Sequence, residues 1–331
     1  MAKGYKMLKK QPLVSVCIPA YNHEKYVGSC LRSIIAQTYK NIELIIIDDG
    51  SSDNTKHAIL DLLPELESRF VHVYFKSQNN QGTCRTLNKL YSKVKGQYIY
   101  YIASDDVAKP DAIKTLVEFM ELNPEYALVV GDNDIIDGNG KRVFWDSGCN
   151  NVYNIELAQY KTFGDFLKAK NKNINFLSNS FGSYSTLFGH NYIPNGYLIR
   201  RTILNKIGLF TPRAPLEDWW FMLQISKYAK MKYLDKILLS YRWHGANTAL
   251  NAQKMHKMAD KTSKYEWDTL KSANFAGMMS DVKQRYRREQ RRRFIHKFIY
   301  HRKREGDKVV IKIFGFIRIK FSKPRVDSTN N

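Results

Sequence analysis

The sequence predicts an α/β protein built on a doubly wound, mostly parallel β-sheet. Short apolar stretches of strand length alternate with segments whose apolar residues recur at helical spacing. Two of the predicted strands run directly into paired acidic residues, and open α/β sheets bind ligands at such carboxyl ends. The chain has 331 residues, of which 44% are hydrophobic, enough for one sizeable core with an extension or for two modest domains.

Repeated strand and helix segments occupy the first part of the chain. The predicted strands cover residues 13–18, 42–47, 71–75 and 98–102. Residues 26–35 carry apolar side chains at helical spacing, and a second amphipathic segment follows Asp48-Asp49 at the end of the second strand. This alternation indicates parallel strands joined by helices.

Asp105 and Asp106 follow an apolar, aromatic strand over residues 98–102. Neighbouring carboxylates repel each other, but they become favourable when Mg²⁺ or Mn²⁺ binds between them and a phosphate. The alternative is a helix cap, because Pro110, Asp111 and an amphipathic run follow. From this stretch alone both interpretations stay open.

A second pair of acids, Glu217 and Asp218, begins an aromatic-rich helix. The helix dipole stabilises negative charge at a helix N-terminus, so a structural role is open for this pair too. Residues 146–190 are rich in Asn, Ser, Gly and Tyr with weak periodicity, and they predict a loop-rich insertion in which an acceptor is selected.

The last quarter of the chain is strongly basic. Residues 246–331 hold 22 Lys and Arg against 8 Asp and Glu, so they carry +14 of the net +22. Residues 251–305 are predicted to be helical, and 309–321 interrupt an apolar run with single cations, which suits either a strand or hairpin on the main domain or a segment lying at a bilayer. Such a block attracts polyanions, either nucleic acid or an anionic membrane face.

The cysteines and the N-terminus indicate no export. The four cysteines form no C-x-x-C pair or His/Cys cluster, so neither a zinc site nor a disulfide framework is indicated. The sequence has no signal-peptide pattern and no uncharged apolar run of about 18 residues. We therefore expect a cytoplasmic protein, peripheral on the inner face of the cytoplasmic membrane where the basic region meets lipid.

Short motifs at plausible intervals make the chain recognisable. They are Pro19-Ala20-Tyr21-Asn22, Asp48-Asp49-Gly50-Ser51-Ser52-Asp53-Asn54-Thr55, Asn80-Gln81-Gly82 with Asn88, Ser104-Asp105-Asp106, Glu217-Asp218 and Tyr241-Arg242-Trp243-His244. The ordered set resembles the large family 2 glycosyltransferases, which have the GT-A fold. The resemblance implies a GT-A domain over 1–247, with a nucleotide-binding half at 12–110 and an acceptor half at 111–247. Residues 248–331 lie outside the resemblance and are expected to form a basic, mainly helical extension that either associates with membrane or packs on the catalytic domain.

The resemblance also implies a reaction and the residues that carry it. A family member of this kind would transfer a single sugar, with inversion, from a nucleotide-diphosphate sugar (a UDP-sugar is favoured) to a hydroxyl of a lipid-linked oligosaccharide, lipooligosaccharide or capsule precursor. The implied roles are Asp218 as general base, Asp106 with Asp105 as ligands of Mg²⁺ or Mn²⁺, and Pro19, Tyr21, Asn22, Asp48, Asp49, Arg85, Asp105 and His244 as contacts of the nucleotide sugar. For Arg85 an exposed helix face is an equal alternative, and a lone His such as His244 is otherwise unremarkable.

The chain departs from the family pattern at two points. Ser104 stands where many relatives carry a further acid, so a cation would rely on fewer carboxylates and bind modestly. The Gln-x-x-Arg-Trp element and the transmembrane helices of the processive members are absent from the sequence. We therefore expect a bacterial, non-processive enzyme that adds one residue or a few.

Three other functions are open to a chain of this composition. A nucleic-acid-binding protein is supported by the positive charge alone. A recognised reading motif is missing and the acidic strand ends would repel phosphate without metal, so we expect no nucleic-acid partner. A catalytically silent relative would bind the nucleotide sugar without turnover, against which the intact acids argue. A dinucleotide-dependent oxidoreductase is disfavoured because no G-x-G-x-x-G follows the first strand.

Overall fold

A mostly parallel sheet lies at the centre of the first of two compact units, Met1–Met279 and Ser280–Asn331. The computed structural model describes residues 11–294, 301–305, 308–313 and 317–322. The predicted α/β fold class is confirmed, because helices alternate with parallel strands as the sequence pattern indicates.

The strands of the first unit follow one another closely along the chain. They are β1 (Val14–Ala20), β2 (Ile42–Asp48), β3 (His72–Ser77), β4 (Tyr98–Tyr101), β5 (Val107–Ala108), β6 (Tyr126–Ile136), β7 (Arg142–Trp145), β8 (Asn151–Val152), β9 (Tyr197–Arg200) and β10 (Lys230–Arg242). In space the order is β3-β2-β1-β4-β9-β6-β10-β5, with β7 and β8 attached to β6. Strands β3, β2, β1 and β4 are parallel, β9 is antiparallel to both neighbours, and β6 and β10 are parallel.

Helices cover the sheet wherever apolar residues recur at helical spacing. They are α1 (Val27–Ile35), α2 (Thr55–Leu60), α3 (Leu63–Arg69), α4 (Thr83–Ser92), α5 (Ala112–Leu122), α6 (Phe163–Lys170), α7 (Tyr184–Leu187), α8 (Glu217–Ser226) and α9 (Ala252–Lys271). In α1 the buried face includes Cys30, Leu31 and Ile34, which pack into a core cluster with Val16 and Leu44 of the sheet. Burial of such a stripe against a sheet is the main source of helix stability.

Two regions are more regular than their sequence patterns indicate. Within the stretch predicted as a loop-rich insertion, helices α6 and α7 form, and an aromatic cluster around Trp145 packs beside α6. Strand β10 is long although it contains several charged residues, because its register against β6 shifts at bulges. Aromatic packing and bulged strands both lack a clean apolar period, which is why periodicity misses them.

Helix α9 belongs to the first unit, which therefore runs past the predicted boundary after residue 247. Glu266 of α9 is buried and lies 2.8 Å from the Lys227 ammonium just after α8. The Tyr184 hydroxyl and the Gln224 amide donate to the same carboxylate at 2.5 and 3.0 Å. The Leu216 N–H donates to Thr262 Oγ1 at 3.1 Å. These bonds attach α9 to the start and the end of α8.

The second unit contains a basic helix and a small sheet. Helix α10 (Ser280–Phe294) is followed by β11 (His301–Glu305), β12 (Lys308–Ile313) and β13 (Ile317–Ser322), which pair antiparallel in that order. Strands β12 and β13 lie largely within the segment 309–321, for which a strand or hairpin is one of two predictions, and residues 314–316 lie outside the described residues. The helical prediction for 251–305 is wrong at its end, because residues 301–305 form strand β11. Within the part of the chain that the structure describes, no helix is both long and apolar enough to cross a bilayer.

Candidate active site

The carboxyl ends of β1 and β2 are joined by a network around Asn22. Asn22 adopts a left-handed conformation with φ of 53°. Its N–H donates to Ser51 Oγ at 2.9 Å, and its side-chain oxygen accepts from the Ser52 N–H at 2.8 Å. Asparagine tolerates this conformation better than most residues, which accounts for its place at the corner. Tyr21 beside it is 47% exposed.

Asp48 and Asp49 are buried and order the loop that follows β3. Asp49 Oδ1 accepts from the Gln78 amide at 2.8 Å and the Gln81 N–H at 2.9 Å, while Oδ2 accepts from the Gly82 N–H at 2.9 Å. Asp48 accepts from the Ser77 hydroxyl at 2.8 Å. These carboxylates hold together the loops at the edge where the resemblance implies a nucleotide.

Asp105 and Asp106 follow β4 but face different surroundings. The Asp106 carboxyl is fully buried and accepts from the Arg242 N–H at 2.9 Å and, more weakly, from the Asn195 amide at 3.4 Å. Asp105 is part-exposed, and its Oδ2 lies 3.2 Å from His244 Nε2 and 3.9 Å from His23 Nε2. The ligand atoms of Asp105, His23 and His244 all lie within 4.8 Å of one another, a spacing that could hold a metal ion.

The two carboxyls also differ in proton affinity. Burial raises the pKa of Asp106, and the neighbouring charge of Asp105 raises it further. Burial would raise the pKa of Asp105 as well, but the hydrogen bond with His244 and the interaction with His23 outweigh it and lower that pKa. Asp105 is therefore the more readily ionised member of the pair and the one whose carboxylate reaches the histidines.

Glu217 and Asp218 begin α8, as the sequence predicts. The Asp218 carboxylate accepts from its neighbour's N–H, that of Trp219, at 2.6 Å and from the Asn191 amide at 2.9 Å. Asp218 is exposed to solvent, but the atoms packed around its carboxyl desolvate it and raise its pKa. Burial and the charge of Asp218 raise the pKa of Glu217 to about 7.

A cavity of about 620 Å³ brings the two acidic stations together. Asp105 and Asp218 both line it. The loop before β9 links the stations, since Asn191 donates to Asp218 and Asn195 to Asp106. The far wall is formed by Lys254, Met255 and Met258 of α9. A substrate in this space would touch the carboxylate of the candidate cation site and a candidate base at once.

Comparison with known families agrees with this geometry. The family model described as "Glycosyl transferase family 2" matches residues 15–187, more than half of the chain. The chain belongs to glycosyl transferase family 2. Members of the family transfer sugars from nucleotide sugars, and the chain is accordingly a glycosyltransferase.

Curated relatives of this glycosyltransferase cover most of its length. An uncharacterized glycosyltransferase of Haemophilus influenzae is 31% identical over 242 residues, which is 72% of this chain and 68% of that protein. A chondroitin synthase of Escherichia coli is 28% identical over 250 residues, which is 76% of this chain but 32% of the longer synthase.

Solved structures show that the glycosyltransferase has the GT-A fold. TarS of S. aureus, in complex with UDP-GlcNAc, superposes with a TM-score of 0.55 at 18% identity and covers 85% of this chain and 72% of its own. The mannosyltransferase PcManGT of Pyrobaculum calidifontis, in complex with GDP-Man and Mn²⁺, gives 0.56 at 13% identity, with 87% and 71% covered.

The predicted site residues of the glycosyltransferase lie in and around the cavity. Asp105 and Asp218 line the cavity, and His244 reaches it through Asp105. Six others lie at the carboxyl ends of β1, β2 and β4 or in the loops that follow these strands. They are Pro19, Tyr21, Asn22, Asp48, Asp49 and Asp106. Arg85 is exposed on α4, directly after Cys84 of the cavity wall. Their assigned roles stay predictions.

Sequence analysis missed several residues that contribute to the site. His23 directly follows the Pro19–Asn22 motif, and this adjacency was the one available signal. Asn191 and Asn195 lie next to or beyond a stretch of weak periodicity, so no pattern distinguished them. Helix α9, which lines the cavity, lies beyond the predicted domain boundary at residue 247, because its amphipathic pattern contains none of the recognised motifs.

Proposed function

We propose that this glycosyltransferase transfers a single sugar, with inversion, from a nucleotide-diphosphate sugar to a hydroxyl of a glycan acceptor. A UDP-sugar is the favoured donor, and the acceptor is a lipid-linked oligosaccharide, lipooligosaccharide or capsule precursor. The observation that supports the proposal best is the shared cavity of Asp105 and Asp218. An inverting transfer needs two such acidic stations, one for the leaving group and one for the acceptor.

The donor would bind along the carboxyl ends of β1, β2 and β4. Pro19, Tyr21 and Asn22 lie at the end of β1 or directly after it, and the exposed ring of Tyr21 offers a face to a nucleobase. Asp49 already orders residues 78–82, and a carboxylate oxygen retains a second lone pair for a base N–H. Arg85, exposed on α4, supplies a cation for phosphate.

The donor set at Asp105 fits a divalent cation, Mg²⁺ or Mn²⁺. Asp105 combines an ionised carboxylate with nearby imidazole nitrogens, and both atom types bind such ions. Asp106 stays a predicted second ligand, although its carboxyl is fully buried and accepts from the Arg242 N–H and, at 3.4 Å, from the Asn195 amide. A cation bound there would supply positive charge against the diphosphate leaving group.

Asp218 would act as the general base. The acceptor oxygen bonds to C1 of the donor sugar as the C1–O bond to the diphosphate breaks, and the acceptor proton passes to the Asp218 carboxylate. The nucleoside diphosphate leaves with the bonding electron pair. The hydrogen bonds from Trp219 and Asn191 hold the carboxylate in place, and partial desolvation raises its pKa and so makes it a better base.

Substitution of the proposed base tests the reaction. Nucleotide release would be measured with UDP-, GDP- and dTDP-sugars and Mn²⁺, with and without glycolipid extract. Asp218→Asn should retain nucleotide binding and lose transfer by about 10²-fold or more. Asp61→Asn, an exposed acid after α2, is the matched control and should transfer normally. Full turnover by Asp218→Asn would show that another group acts as the general base. Binding of a nucleotide sugar by the unaltered chain without any turnover would instead support a catalytically silent member of the family.

We also propose that the basic C-terminal region binds an anionic membrane surface. In the second unit, the register pairs Val309, Ile311 and Ile313 with Phe321, Ile319 and Ile317, which places these residues on one face of the hairpin. Lys308, Lys312 and Lys320 occupy positions of the other face. Juxtamembrane cations each contribute about 1 kcal/mol near an anionic surface.

Flotation with anionic liposomes tests membrane binding. Deletion of residues 283–331 should abolish flotation while nucleotide binding by the first unit persists. Unchanged flotation of the deletion variant would show that the basic region does not mediate membrane binding. Tighter binding of the full chain to single-stranded or duplex nucleic acid than to liposomes would favour the nucleic-acid alternative.

A further inference from the structure

We propose that α9 carries a binding surface for an anionic acceptor, so that the glycan that receives the sugar bears phosphate or carboxylate groups. The inference rests on the proposed function, because it names the class of acceptor that reaches Asp218. The surface consists of exposed lysines of α9, which we call the lysine stripe, and they are Lys254, Lys257, Lys261 and Lys264. The stripe begins at the wall of the cavity that Asp218 lines.

The members of the lysine stripe lie on one face of α9. Successive members are three or four residues apart in the sequence, so each lies about one helical turn beyond the previous one. From residue 254 to residue 264 the helix rises about 15 Å. A different face of α9 is buried at Thr262, Glu266 and Leu270, and this fixes the rotation of the helix with the stripe turned to solvent.

The acids of α9 do not neutralise the lysine stripe. Asp260 lies beside a histidine one turn away. Glu266 is paired with Lys227, and Asp268 is paired with Lys271. Within the described part of the chain, no member of the stripe forms an ion pair. Like charges three or four residues apart destabilise a helix, so the stripe lowers the stability of α9, and a bound polyanion would relieve the repulsion.

Lys254 connects the lysine stripe with the active site. Among the described residues that line the cavity it is the one Lys or Arg, whereas Asp105, Glu217 and Asp218 all line it. Its N–H donates to Asn251 Oδ1 at 2.9 Å, which places it in the first turn of α9. The helix dipole disfavours a cation at that end. A lysine there gives the helix no stability, but it offers a counter-charge to an anionic substrate that enters an acidic cavity.

The path of the lysine stripe favours a chain-like acceptor over a membrane surface. Met255 and Met258 of α9 line the same cavity as Lys254, together with Leu216 before α8. An extended glycan bound along the stripe would pass these side chains and present a hydroxyl to Asp218. A lipid surface is flat and cannot follow the stripe into the cavity, so membrane contact would leave Lys254 without an anion.

Binding of soluble polyanions to the full chain tests the proposal. The probes are fluorescently labelled oligogalacturonate, which carries carboxylates, and poly(glycerol phosphate), which carries phosphates, and a labelled maltodextrin of similar length is the neutral reference. Fluorescence anisotropy should show tighter binding of at least one anionic probe than of maltodextrin, and this binding should weaken with added salt.

A triple variant of α9 locates the binding surface. Lys257→Gln with Lys261→Gln and Lys264→Gln should weaken binding of the anionic probe about 10-fold, because each exposed ion pair contributes only a few-fold. Glutamine forms helices nearly as well as lysine, so α9 should stay folded, which circular dichroism checks. With glycolipid extract as acceptor, the acceptor KM should rise far more than kcat falls, as expected for loss of binding alone.

A variant of α10 with the same change in net charge is the matched control. Arg287→Gln with Arg288→Gln and Arg291→Gln also removes three exposed cations from one helix. It should change the affinity for the anionic probe by about 2-fold or less, because the exposed charges of α10 lie outside the lysine stripe. Equal losses in the α9 and α10 variants would show that net charge alone binds the probe, and the proposal would be wrong.

The other outcomes that overturn the proposal point to a different ligand. Equal binding of maltodextrin and both anionic probes would exclude an anionic acceptor. In the α9 variant, a larger loss of binding to phosphatidylglycerol vesicles or to a single-stranded oligonucleotide would assign the stripe to membrane or nucleic acid, and an equal loss of UDP binding would assign it to the donor. Absence of nucleotide release with every sugar donor would instead contradict the glycosyltransferase reaction, whatever the stripe binds.

Discussion

Substitution of Glu266 tests how strongly α9 is attached to the rest of the first unit. Its carboxylate and the Lys227 ammonium are 2.8 Å apart, with side chains only 1% and 6% exposed. Glu266→Gln keeps the shape but leaves the Lys227 charge buried opposite a neutral amide. Loss of one partner of a buried pair costs about 3–5 kcal/mol, because the remaining charge is neither paired nor hydrated. The free energy of unfolding, measured in urea by tryptophan fluorescence, should fall by this amount.

The matched control lies on the same helix. Asp268 and Lys271 are also 2.8 Å apart, but their side chains are 49% and 53% exposed. Exposed pairs contribute about 0–1 kcal/mol, so Asp268→Asn should change little. Equal losses for Glu266→Gln and Asp268→Asn would refute the argument from burial. The double variant Lys227→Met with Glu266→Gln removes both charges, keeps an amide oxygen as acceptor for Tyr184 and Gln224, and should recover most of the loss.

The remaining predictions concern the base and the loop after β2. Because the pKa of Asp218 is raised and a base works only when ionised, kcat/KM should fall as pH decreases through a value above the usual aspartate range. Asn191→Ala removes a bond to the ionised form and should move this fall to higher pH. Gly50→Ala should lower the free energy of unfolding by about 1–3 kcal/mol, because Gly50 has φ of 73° and an added Cβ would lie 2.5 Å from a backbone nitrogen. Gly208→Ala, with open space around it, is the thermal-melt control.

The strand ends were predictable because apolar runs end where the sheet ends. The runs before Asp48 and Asp105 are long enough to identify as strands, and parallel neighbours bring their carboxyl ends to one edge. Sequence adjacency, however, cannot distinguish Asp105 from Asp106. In the turn after β4 one carboxyl faces the histidines and the other is enclosed against the Arg242 backbone, and the backbone path alone decides which.

Contacts between distant segments were beyond prediction for a different reason. His23 and His244 meet only because β1 and β10 end on the same side of the sheet, and β10 lacks the apolar period that identifies a strand. The loop that carries Asn191 and Asn195 likewise has no periodic pattern, so only its connection to β9 places it. Local patterns identify elements, whereas side chains that meet across the fold depend on register and bulges.

The antiparallel insertion of β9 between β4 and β6 connects the surroundings of two acidic residues. In the short loop that precedes it, Asn195 donates to the enclosed Asp106, and Asn191, four residues earlier, donates to Asp218. Sliding of this strand against its neighbours would displace both amides in the same direction. We therefore expect a substrate bound beside one of these two acids to alter the position of the other through this short backbone segment.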